Sequence, residues 1–297
     1  GDCYPSTPIG INLPNANWIR KNHGSKSVTI ANITYAYDQA SLNSPLTREF
    51  APNDEVFERA RKYASIASDI STDLHEVLGH GSGQLLPGVS DDALKNYSSP
   101  IEEARADLFS LYYIMDPRMV ELGLLPDPEA AKAEYDSEIR NGLQTQLTRI
   151  EFGKEIEQAH MRARSLIAHW VYEQGKPENV ITRTTRDGKT YFVINDYGKL
   201  RRLYGRLLAE VQRITSEGDY EGARNLVETY GVRVDRELHR EVLDRFARLN
   251  IAPYGGFVNP VYRPVVDNGR IVDVEVDLTE GYVEQMLRYG RDYSFLK

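Results

Sequence analysis

The chain holds one cysteine, Cys3, so no disulfide can form within it. It has no apolar run of membrane-spanning length and no visible signal peptide. Lys and Arg form no block, and the formal net charge is −8, which argues against nucleic acid as the main partner. There is no internal repeat, no low-complexity tract and no strand–helix alternation of the kind that builds a parallel sheet. An initial Met is also missing. The opening GDCYPSTPIGINLPN reads as mid-protein, and the chain is expected to be a piece of a longer one. What is present is ordinary for a soluble globular protein: 297 residues, 41% apolar and 27% charged, enough for one large domain or two small ones.

Residues 1–50 are rich in Pro, Asn and Ser, with a short β-like run, VTIANITY, and read as an irregular leading segment. From Asn53 onward Val56, Ala60, Tyr63, Ala67, Ile70, Leu74 and Val77 recur every three or four residues, the period of an amphipathic helix. Gly79, Gly81 and Gly83 should stop it. SSPIEEARADLFSLYYI predicts a second helix, with Ser99 as N-cap, Pro100 as first helical residue and Glu102 as capping-box partner. DPEAAKAEYDSEIRN predicts a third, capped by Asp127. A fourth is expected from about Gln144 to Glu173, and others near 197–216, 219–230, 235–249 and 279–289. Asp187-Gly188 and Asn268-Gly269 each sit between β-like runs and predict two hairpins. The fold class is therefore mainly α, a multi-helix body with small β-hairpins.

The stretch DLHEVLGHGSG places His75, Glu76 and His80 on the last turns of the first long helix. Zinc peptidases with H-E-x-x-H carry two histidines four apart on one helix face. Here the histidines are five apart, and at about 100° per residue they would diverge by about 140° on a regular helix. A local π-turn can absorb the extra residue, and the backbone freedom of Gly79 would ease it. Two histidines at a helix C-terminus also interact favourably with the helix dipole without any metal. A third ligand would decide between these readings. Glu102, Glu103 and Asp107 are the candidates, and their alternative is a solvated acidic first turn. Glu102 falls at the capping position, while Glu103 and Asp107 share a face, which suits one carboxylate on a metal and another behind it.

HEVLGH (75–80) followed by EEARAD (102–107) resembles the paired motifs of the dipeptidyl-peptidase III family, zinc aminodipeptidases marked by H-E-x-x-G-H and E-E-x-R-A-[ED]. Ala104 stands where that family usually has Cys, a small-for-small change. GINLPN (10–15) and QAHMRAR (158–164) resemble further family segments, in the right order. The resemblance implies one Zn2+ per chain held by His75, His80 and Glu103. It implies Glu76 as catalytic carboxylate and His160 as a group that stabilises the transition state. Asn12, Asn15 and Arg164 would contact substrate, and Glu102 and Asp107 would lie behind the ligands. His23, His169 and His239 read as structural or surface residues. Family members have two lobes around a cleft. This chain resembles the helical zinc-bearing lobe (51–297) preceded by a segment (1–50) that belongs partly to the other lobe.

The implied function is release of dipeptides from the N-termini of short peptides by zinc-activated water, with Glu76 as general base. The partners would be peptide substrates and the missing N-terminal lobe, with neither nucleic acid nor membrane involved. Without that lobe, activity is expected to be poor. The family and the lone cysteine lean toward a cytoplasmic setting. A different class, a non-catalytic zinc-stabilised peptide-binding domain, is the alternative, and a zinc hydrolase with an altered substrate is a third. Retention of Glu76 speaks against the non-catalytic reading, because a structural site needs no base.

Overall fold

Helix starts are set by side chains that accept the free N–H groups of a first turn. Asn53 does this for the long helix, its Oδ1 accepting from Val56 N at 2.9 Å. The structure, a computed structural model, describes residues 10–14, 17–42, 44–251 and 258–295. The described part divides into two compact units, 10–251 and 258–295.

The larger unit opens with a two-stranded antiparallel hairpin, β1 (Gly10–Leu13) and β2 (Lys26–Thr29), in which Asn12 pairs with Ser27. Between the strands lies α1 (Asn17–His23), and α2 (Ala31–Leu42) and α3 (Pro45–Phe50) follow. This corrects the irregular reading of the leading segment, because most of VTIANITY enters α2. Its β-branched residues favour strand locally, yet the chain coils and Thr34 Oγ1 bonds back to Ala31 O at 2.9 Å. Next comes α4 (Asp54–Leu74), which runs directly into a π-helical turn, His75–His80. A short 3-10 turn, Lys95–Tyr97, leads into α5 (Ser98–Ile114), and α6 (Arg118–Glu121) and α7 (Pro128–Leu143) follow. As expected, Asp127 caps α7, accepting from Glu129 N at 2.9 Å.

The fourth long helix is shorter than the sequence suggested. After α7 the chain makes a 3-10 turn, Thr145–Arg149, then an irregular stretch in which Gly153 takes a φ of +90°. Helix α8 begins only at Ala159 and runs to Gly175, with Gln158 as its cap. The hairpin β3 (Ile181–Arg186) and β4 (Lys189–Ile194), then α9 (Tyr197–Glu217), α10 (Tyr220–Leu226) and α11 (Arg236–Arg248) complete the unit. A second π-turn, Val227–Gly231, follows α10.

The core fills the space between α4, α5, α7, α8 and α9: Ala67, Ile101, Leu108, Tyr135, Leu166 and Tyr204 are all shut off from solvent. Small residues let these helices approach. A Cβ added at Gly142 on α7 would sit 2.5 Å from Ala168 Cβ on α8. That packing sets α8 between α7 and α5, with His160 at its start beside Glu103 of α5.

The smaller unit holds a third antiparallel hairpin, β5 (Val261–Asp267) and β6 (Arg270–Asp277), and α12 (Tyr282–Tyr293). Its turn at Asn268-Gly269 lies where the sequence places it, and both residues take positive φ. The closing helix starts three residues later than expected. No helix among the described residues is long and apolar enough to cross a membrane.

Candidate metal centre

The π-turn spans the six residues HEVLGH, the stretch where the sequence asked for a widened helix. Widening brings His75 and His80 together, their ring centroids 4.6 Å apart and their planes at 86°. Gly79 does not take a positive φ. Its role is close approach, because an added Cβ would lie 2.6 Å from Ala106 Cα on α5. The π-turn thus rests on the helix that carries the acidic motif.

From α5, Glu103 points between the two rings. Its Oε2 is 3.6 Å from His75 Nε2 and 3.7 Å from His80 Nε2. The ligand atoms of His75, His80 and Glu103 all fall within 4.8 Å of one another. The other nitrogen of each ring is taken: His75 Nδ1 donates to Asp107 Oδ1 at 2.8 Å, and His80 Nδ1 donates to Glu102 Oε1 at 2.9 Å. These bonds fix each ring and turn Nε2 toward Glu103. Glu103 Oε2 is buried and has no hydrogen-bond partner among the described residues. His160 Nδ1 on α8 lies 2.9 Å from it, an ionic contact off the hydrogen-bond direction. Two imidazole nitrogens and a carboxylate oxygen around one point are a donor set that suits zinc. The residues present therefore fit the metal.

Glu102 does not cap its helix. Tyr97 holds the N-cap position with no side-chain bond, and Ser99 lies inside the helix. Glu102 is committed instead to His80 and to Arg105, which donates to both of its oxygens at 3.0 and 2.8 Å. Burial would raise its pKa, but the bonds from His80 and Arg105 prevail and hold it down at about 2. Burial likewise acts to raise the Asp107 carboxyl, and the His75 hydrogen bond overcomes it and keeps it low. For His75 burial opposes the charge, yet Asp107, Glu103 and Glu76 together lift it above the usual imidazole value. The Glu103 carboxylate raises His160 in the same sense.

Glu76 is buried, and its main-chain oxygen is held by the leading hairpin. Asn12 Nδ2 and Ser27 Oγ each donate to that oxygen at 3.1 Å. Asn12 also donates to Ser27 Oγ at 2.8 Å, while its own Oδ1 has no partner among the described residues. Gly10 lies flat against the Glu76 side chain, where an added Cβ would sit 2.6 Å from Oε1. Arg20 on α1 donates to His80 O at 3.3 Å. Among the described residues Arg164 makes no ion pair within 4 Å, but its charge helps lower Asp107. Asn15 lies outside the described residues. His169 bonds within α8 to Ser165, and buried His239 bonds Leu147 O and Ile150 O. Both lie apart from the centre, and His23 is exposed.

Sequence reasoning passed over Gly10, Ser27 and Arg105. Arg105 had a visible signal, lying three residues after Glu102 on one helix. The other two depend on how the hairpin folds back.

Comparison with known proteins adds to this geometry. A family model described as Peptidase family M49 matches residues 3–97 and 88–244. Dipeptidyl peptidase 3 of Homo sapiens is 28% identical over 268 residues, and that of Mus musculus 27% over 268. Each match covers 77% of this chain and 36% of the relative, so the chain spans about a third of the length of these curated relatives. The solved structure of DPP III from Caldithrix abyssi aligns with a TM-score of 0.60 at 26% identity, covering 80% of this chain and 43% of that one. Dipeptidyl-peptidase III from Corallococcus sp. strain EGB aligns at 0.64 and 24% identity, over 83% and 43%, and is similar in fold.

Proposed function

The chain belongs to peptidase family M49, and from that premise we propose that it carries the hydrolytic centre of a zinc-dependent aminodipeptidase, one that releases dipeptides from the N-termini of short peptides. The observation that carries this reading is Glu103 Oε2: buried, without a hydrogen-bond partner, and faced by two histidine nitrogens whose rings are tied down from the far side. His75, His80 and Glu103 would hold the ion. When bound, zinc acts as a Lewis acid on the scissile carbonyl and lowers the pKa of water toward neutrality.

The chain's own residues do the rest. Glu76, next to His75 in sequence, takes the proton of the attacking water and passes it to the departing amine. Its fixed main chain and the wall formed by Gly10 limit where the carboxylate can point. His160, half exposed at the start of α8, donates to the oxyanion as it develops. Asn12 Oδ1, left without a partner, accepts from the peptide's ammonium group, with Asn15 in the same role. Arg164 contacts the substrate further along. Glu102 and Asp107 hold the rings of the ligands. Three protein donors among the described residues, where a closed structural zinc site has four, speak for catalysis over a merely stabilising ion.

Residues 1–50 would belong in part to a second lobe, which the longer relatives would supply along with the rest of the substrate clamp. Zinc content and dipeptide release test the reading, measured on this chain and on a longer parent, each with Glu76→Gln. The expected result is metal retained and hydrolysis lost in the variant, with this chain much less active than the parent. Unchanged hydrolysis in Glu76→Gln removes Glu76 as the base. A wild-type chain that takes up no zinc overturns the reading.

A further inference from the structure

Arg105 is the largest fully buried side chain among the described residues, 2% exposed, and the hydrolytic scheme leaves it unused. A buried guanidinium is costly unless its donors are met. Here they are met from two directions. Nε and Nη2 grip both oxygens of Glu102 in a bidentate fork at 3.0 and 2.8 Å. Nη2 also donates to Gly79 O at 2.8 Å, and Nη1 reaches Ser82 Oγ at 3.3 Å and Gln212 Oε1 at 3.5 Å. The guanidinium carbon stands 5.7 Å from the centre of the Phe109 ring. Gly83 leaves room for it: a Cβ there would lie 2.9 Å from Nη1.

His80 lies between the two sets of contacts. Gly79 O is the carbonyl of the peptide bond to His80, and Glu102 is the group that accepts from His80 Nδ1. Arg105 therefore fixes the backbone of the second histidine and the orientation of its ring in one rigid fork. We propose that Arg105 is the positioning residue of the centre, holding the end of the π-turn and the Glu102 carboxylate in register so that His80 Nε2 meets the same point as His75 Nε2. Lysine cannot replace it. An ammonium is a single point of charge and cannot span a bidentate carboxylate and a carbonyl together.

The inference rests on reading His80 as a zinc ligand. Its test is zinc affinity by chelator competition for the wild-type chain, Arg105→Lys, Arg105→Met, Glu102→Gln and the Arg105→Lys/Glu102→Gln double variant. The visible d–d spectrum of the cobalt-loaded chain serves as a direct readout of ligand geometry. Arg105→Lys should lose on the order of 10–100-fold in zinc affinity, as loss of an outer partner commonly does, and its cobalt spectrum should change in band position and intensity. Glu102→Gln should do the same, and the double variant should lose little more than either alone. Thermal unfolding of the metal-free chains separates a folding defect from a displaced ligand. If neither Arg105 variant folds, Glu102→Gln decides, because the route from Arg105 to the His80 ring passes through Glu102: unchanged affinity there overturns the proposal. Wild-type affinity and an unchanged cobalt spectrum in Arg105→Lys overturn it with the functional reading intact. Failure of the wild-type chain to bind zinc overturns both.

Discussion

Gly79 and Ala106 touch backbone to backbone, so closely that a methyl group on Gly79 would stand 2.6 Å from Ala106 Cα. The contact joins the π-turn to α5 and sets the distance between the two histidines and Glu103. Gly79→Ala should push the helices apart and destabilise the fold by about 1–3 kcal/mol, the usual cost of overpacking. Urea unfolding of the metal-free chain measures this. Zinc affinity should fall as well. A variant as stable as wild type with full zinc affinity would mean that the helices have slack at this point.

Gly10 makes a comparable contact with Glu76, on the far side of the turn. Gly10→Ala should displace the carboxylate while leaving His75, His80 and Glu103 alone. Zinc content is expected to stay at the wild-type value. Turnover of a short peptide should fall on the order of 10²-fold, the effect of a misplacement of about 1 Å. Shortening the displaced group in Gly10→Ala/Glu76→Asp should not lower turnover further. Equal turnover for Gly10→Ala and wild type would show that the strand does not constrain Glu76.

Asp107 holds the His75 ring by one hydrogen bond. Asp107→Asn keeps the shape and removes the charge, and zinc binding should weaken on the order of 10–100-fold. Chelator competition at fixed pH is the measurement, and affinity within twofold of wild type would remove Asp107 from the ligand scaffold.

Two further carboxyls, Glu134 and Glu138 on α7, lie behind the centre. Burial lifts Glu134 from the ordinary 4.5 to about 7, and lifts Glu138 in the same direction. The sign follows from linkage. Above 4.5 the unfolded chain sheds these protons while the folded chain keeps them, so stability falls as pH rises, from about 4.5 to about 7. The slope is at most about 1.4 kcal/mol per pH unit for each group. His75, also raised, acts in the same sense. Glu134→Gln should flatten the decline between pH 5 and pH 7 in urea unfolding of the metal-free chain. An unaltered slope would indicate that Glu134 is ionised in the folded protein.

Much of this was legible from local pattern. The cap at Asp127, the hairpin turns and the five-residue histidine spacing each express a rule that acts within a few residues. Where tertiary contacts decide, local pattern misleads. Glu102 looked like a capping residue because Ser99 precedes it by three, yet its partners are His80, remote in sequence, and Arg105. Residues 150–158 contain good helix formers, but Gly153 turns the chain with a positive φ and α8 starts late. Gly79 was rightly singled out for a reason that proved secondary. Its backbone freedom goes unused, and the absent side chain is what matters.

The hydrogen bonds from Asn12 and Ser27 to the Glu76 carbonyl also bear on motion. A two-stranded hairpin is marginal by itself, so β1 and β2 rely on neighbours such as the π-turn. Lifting the hairpin would free that carbonyl and uncover the Glu76 carboxylate in one event. Amide exchange in β1, β2 and the π-turn should therefore proceed at a common rate, set by a single local opening. The frequency of that opening would limit how much of the time the general base is held in place.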